Sequence, residues 1–159
     1  NLIMASPVKP LDLFIAKFAV VAKLALLTHI FVFVLYVFCG KIFAHLSGWP
    51  SMRLPFFLLR GAVGALAVIA AQLVLAMMIR SFAVPIFLGL VGGVTGMFAG
   101  SKGFALAWPY CLMQAGMNAN KKEDVLSGGY GLFVLSCVLW LMVLFVLAGW
   151  ILKKKDVRA

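Results

Sequence analysis

From Tyr130 to Leu152 the chain runs without one charged residue. That is longer than the roughly 20 apolar residues that cross the ~30 Å hydrocarbon core of a bilayer. Three other runs are nearly as apolar: Leu13 to Cys39, Phe56 to Ile79 and Phe82 to Gly100. Hydrophobic residues make up 65% of the 159 residues and charged ones 11%, against about half and about a quarter in soluble domains. In water such a chain leaves large apolar patches exposed. The expected fold is therefore an all-α integral membrane protein with four transmembrane helices.

The segments between the runs differ in kind. Asn1 to Pro10 is mixed and carries Pro7 and Pro10, which restrict helix; Asp12 is placed to cap the first apolar run. Gly40 to Pro55 is a connection. Phe104 to Met117 is apolar but too short to cross, and Pro109 interrupts it. It is expected to be a re-entrant or interfacial broken segment, with Trp108 and Tyr110 at headgroup depth. Asn118 to Gly129 holds Lys121, Lys122, Glu123 and Asp124 and reads as a solvated polar loop. The expected organisation is a cytoplasmic segment over 1–12, a transmembrane domain over 13–153 containing the 104–117 segment and the 118–129 loop, and a basic cytoplasmic tail over 154–159. An even number of crossings puts both ends on one side. The cluster Lys153, Lys154, Lys155 and Arg158 assigns that side to the cytoplasm, and it can attract anionic lipid.

The net charge of +10 does not point to nucleic acid. The Lys and Arg sit mostly at the ends of apolar runs, not on a basic face in water. Cys39, Cys111 and Cys137 form no CxxC pair and read as small buried apolar residues. No GxxxxGK[ST], HExxH, GxSxG or EF-hand pattern occurs. No cofactor and no catalytic residue is expected.

Small residues recur at helical spacing. Gly64, Ala67 and Ala71 share one face of the second run. Gly92, Gly96 and Gly100 form two GxxxG steps, and Gly89 with Gly93 forms another. Such faces let helices approach closely in lipid. Polar residues inside the runs are few. His29 reads as a hydrogen-bonded packing residue, with Gln72 on a neighbouring helix as a candidate partner. The alternative, a haem ligand, needs a second ligand at similar depth, and His45 lies in the connection. Arg60, one turn into its run, is expected to snorkel. None of the four acidic residues lies deep in a run, which argues against a proton-coupled carrier.

Two stretches carry a family resemblance. Leu2-Ile3-Met4-Ala5-Ser6-Pro7-Val8-Lys9, followed by Phe14-Ile15-Ala16-Lys17, resembles the loop before the third span of type-2 ABC exporter permeases. Arg80-Ser81-Phe82-Ala83-Val84-Pro85 to Gly93 is similar to the turn between their fourth and fifth spans, particularly in permeases of lantibiotic-immunity and bacitracin-type transporters. The broken segment around Pro109 looks like their re-entrant hairpin. The resemblance implies the later part of a six-helix permease in a bacterial cell membrane, with Asn1 not a native start. It implies a cytoplasmic ATP-binding subunit as partner, a second permease subunit of the same or a sister chain, and export of a hydrophobic or amphipathic peptide. Ser6, Pro7, Val8 and Lys9 are then the expected contact to the ATPase. A redox-complex anchor or a non-transporting structural membrane protein are the alternatives.

Overall fold

The computed structural model describes residues 10–45, 47–119 and 123–156. Among the described residues there are five helices: α1 (Pro10–Ile42), α2 (Arg53–Met78), α3 (Ala83–Ser101), α4 (Pro109–Met117) and α5 (Tyr130–Asp156). All but α4 are long and apolar enough to cross a membrane. α1 runs through Gly40 and Lys41, beyond the expected end at Cys39. It stops where the Phe43 and Ala44 amides both return to the Cys39 carbonyl and His45 takes a left-handed φ of 49°. α2 begins at Arg53 and keeps Pro55 in its first turn, where the ring costs no hydrogen bond.

α2 is the central helix. Within its most apolar window 44% of residues are buried, against 6% in α1. The cause lies in its sequence: Gly61, Gly64, Ala65, Ala67, Ala70 and Ala71 are all buried and small, so neighbours close on its backbone. One core cluster joins Phe14 of α1, Ala70, Ala71 and Val74 of α2, and Leu144, Ala148 and Ile151 of α5. Phe145 stands edge-on to both Phe14 and Phe18 at 5.1 Å between ring centres. The start of α1 and the ends of α2 and α5 therefore share one end of the bundle. A second cluster, Ala67, Leu112, Leu126, Phe133 and Cys137, joins α2, α4, the 118–129 loop and α5.

At nine residues, α4 is about 13 Å long, under half the ~30 Å of a hydrocarbon core. The 104–117 segment thus divides into a turn and a helix. Gly103, at φ +84°, reverses the chain after α3, and the Phe104 amide bonds back to the Ala99 carbonyl. Pro109 opens α4, and Asn118 closes it in the left-handed region at φ 52°. The segment returns to the end it left. Ser101 at the end of α3 and Ala119 and Val125 beyond α4 line one cavity of about 170 Å³. Between those points it dips inward: Ser136, six residues or about 9 Å into α5, donates a hydrogen bond to the Leu106 carbonyl.

Candidate functional site

The hairpin that leads from α3 into α4 and the helices that grip it are the candidate site. α4 meets α2 backbone to backbone. A Cβ on Gly64 would lie 2.7 Å from the Met113 nitrogen, and one on Gly116 would lie 2.6 Å from the Arg60 carbonyl oxygen. Gly61 is covered by the Met117 side chain. Ala67 and Ala71, on the same stripe, are buried. On the other side, Gly96 lies against the Tyr110 carbonyl, where a Cβ would sit at 3.1 Å, and Gly92 lies against the Tyr110 ring. Gly100 faces the Cys111 sulfur, whose thiol donates to the Gly96 carbonyl at 2.7 Å.

Gly93 departs from expectation: nothing lies within 4 Å of where its Cβ would be. Its GxxxG partner Gly89 instead faces the Gln72 amide. The Gly92, Gly96 and Gly100 row points at α4, and Gly93 lies off that row. Gly93→Ala is accordingly expected to leave stability unchanged or raise it by up to about 1 kcal/mol through helix propensity. Gly96→Leu is expected to cost about 2 kcal/mol by overpacking. Unfolding midpoints in mixed micelles distinguish the two.

Gln72 bonds to Tyr110, not to His29. With its amide oriented to satisfy both ends, Oε1 accepts from the Tyr110 hydroxyl at 2.8 Å and from the Gly89 amide at 3.3 Å, while Nε2 donates to the Pro85 carbonyl at 3.1 Å. This one side chain ties α2, α3 and α4 together. Through it the Tyr110 hydroxyl reaches the last third of α2. His29 Nδ1 bonds to the Ala25 carbonyl at 2.8 Å, one turn back. Its Nε2 is buried beside Gly61 and has no partner among the described residues.

Arg60 does not snorkel. It is 6% exposed and makes a two-pronged pair with Asp124, at 2.8 Å and 2.9 Å. Its NH2 also donates to the Ala115 carbonyl of α4 at 3.4 Å. The guanidinium lies 5.1–5.3 Å from the ring centres of Phe56, Phe57 and Tyr130, an arrangement that favours a cation. Asp124 is held further by the Tyr130 hydroxyl at 2.9 Å and the Leu126 amide at 3.1 Å. Hydrogen bonding from Arg60, above all, keeps its carboxyl well below the usual carboxylate range, against the opposing effect of burial. The 118–129 loop is therefore not simply solvated at Asp124: it clamps the hairpin onto α2. The signal missed in the sequence was a charge one turn into an apolar run facing an acid 64 positions away.

Cys111 and Cys137 are buried as expected, whereas Cys39 is exposed on the periphery of the bundle. Ser6, Pro7, Val8 and Lys9 lie outside the described residues, as do Lys121, Lys122 and Arg158. Among the described residues no group of three or more His, Cys, Asp or Glu is placed to hold a metal ion. No family model matches the chain, and no curated protein and no solved structure matches it.

Proposed function

We propose that this chain is the membrane permease subunit of an ATP-driven exporter of the type-2 class, resembling the lantibiotic-immunity and bacitracin-type subunits. The observation that carries the reading is the short re-entrant helix α4, docked against α2 and α3 immediately before the last span. It stands together with the Ser6-Pro7-Val8-Lys9 and Arg80-to-Gly93 stretches of the sequence. In this reading a cytoplasmic ATP-binding subunit docks at the Ser6 to Lys9 segment, next to the start of α1. A second permease subunit covers part of the apolar surface that α1, α3 and α5 leave exposed. The cargo is a hydrophobic or amphipathic peptide, and the host is a bacterial cell membrane.

The test is reconstitution with the ATPase subunit that co-purifies with the chain. Changing Ser6, Pro7 and Val8 to glycine is expected to leave the spans inserted, because lipid and helix contacts hold those. It is expected to lower peptide-stimulated ATP hydrolysis or to weaken co-purification. Failure of any ATPase to co-purify with the native chain, or stimulation unchanged in the variant, contradicts the reading.

A further inference from the structure

α1 and α3 both pack toward α2 but make no contact with each other. The gap between them is a furrow of about 580 Å³ floored by α2, within the roughly 300–1,000 Å³ of small-molecule sites. Its walls are apolar: Val21 from α1, Val68, Ile69 and Ala76 from α2, and Ile86 from α3. The floor from Val68 to Ala76 follows the helix axis for about 12 Å, so the hollow is long enough for a stretched alkyl chain. Gln72 also lines it, but that amide is already bonded to Tyr110, Gly89 and Pro85. The furrow thus asks its occupant for no deep polar group.

One end is different. Arg80 and Ser81, in the turn after α2, line the furrow there. Lys17 lines a smaller hollow that shares Val21 and Leu73 with it. Arg80 and Lys17 are both exposed, and no described carboxylate lies within ion-pair distance of either. An apolar furrow with cations at one end complements a ligand with an alkyl tail and an anionic head.

We propose that the α1–α3 furrow binds one acyl chain of an anionic phospholipid, whose uncompensated headgroup charge is held at Arg80 and Lys17. The inference does not rest on the transport reading and holds whether or not an ATPase partner exists. The furrow opens where α1 and α3 fail to meet, between two helices that carry exposed Val20 and Phe87, so the tail enters from the side.

The experiment is native mass spectrometry of the full chain released from nanodiscs containing equal phosphatidylglycerol and phosphatidylcholine. One phosphatidylglycerol is expected to be retained about tenfold over phosphatidylcholine, the scale of one charge-assisted contact. The double variant Lys17→Gln with Arg80→Gln is expected to abolish that preference, and both positions are exposed, so folding is not at stake. Ala76→Phe fills the floor with the charges intact and is expected to release the bound lipid, with helicity by circular dichroism unchanged. Equal retention of the two lipids by the native chain overturns the proposal, as does a preference that survives the double variant. A dimer mass that Ala76→Phe removes would assign the furrow to a second copy and overturns it as well.

Discussion

Replacing Gly64 with alanine is expected to cost about 3 kcal/mol, the upper end of the penalty for overpacking a close contact. The added methyl would sit 2.7 Å from the Met113 nitrogen and closer still to the Leu112 carbonyl of the same peptide group. These are backbone atoms in the middle of α4, so no rotamer change relieves the clash. The helices must separate, and the matching contact of Gly116 with the Arg60 carbonyl separates with them. Gly64→Leu is expected to undock α4 altogether. The readout is the midpoint of reversible unfolding in mixed micelles, with accessibility of the buried Cys111 thiol as the local probe. A Gly64→Leu variant with native stability and an unreactive Cys111 would exclude the tight α2–α4 contact.

Asp124→Ala is expected to cost about 3 kcal/mol, because it strands the buried Arg60 guanidinium without its counter-charge. Asp124 keeps some exposure, with 21% of its side chain accessible, which places the loss at the lower end of the range for broken buried pairs. The double change Arg60→Met with Asp124→Leu is expected to recover most of it, since an apolar pair of similar volume avoids the desolvation of both ions. The pair also gives stability a pH dependence of definite sign. The folded carboxyl is held below its ordinary value, so its contribution is complete above about pH 4 and is lost as the pH falls below that. The native chain and Asp124→Ala are therefore expected to differ most near neutrality and to converge in acid. Parallel unfolding curves across that range check it, and a difference that persists in acid would deny the ion pair its role.

The four long helices were legible because long runs with so few charges have few uses other than spanning a bilayer. The hairpin was legible for a related reason: Phe104 to Met117 is apolar, short and broken by Pro109. The reversal at Gly103 that leads into it was not, since only a backbone angle identifies it. Spacing predicted too much for the glycines. GxxxG steps fall on two faces of α3, and only contact separates Gly96, against the Tyr110 carbonyl, from Gly93, against nothing. It also predicted too little for Gly61, one step back along the Gly64 stripe, and for Gly116 in a helix too short to show a period. Arg60 and Asp124 were each read from their neighbours, as a snorkelling cation and a solvated acid. Their pairing is a tertiary fact: α4 has to dock on α2 before the loop after it can reach Arg60.

Sidedness of the residues flanking the hairpin tests the re-entrant fold most directly. Single cysteines at Lys102, Glu123 and Arg80, each in a background without Cys39, Cys111 and Cys137, are to be labelled in oriented vesicles with a membrane-impermeant thiol reagent. Lys102 and Glu123 are exposed at the two ends of the 102–123 excursion, and Arg80 is exposed in the turn between α2 and α3. The re-entrant fold predicts that the cysteines at Lys102 and Glu123 react from one side and the cysteine at Arg80 from the other. Labelling of Lys102 and Glu123 positions from opposite sides would mean that the segment between them crosses the bilayer, and would contradict it.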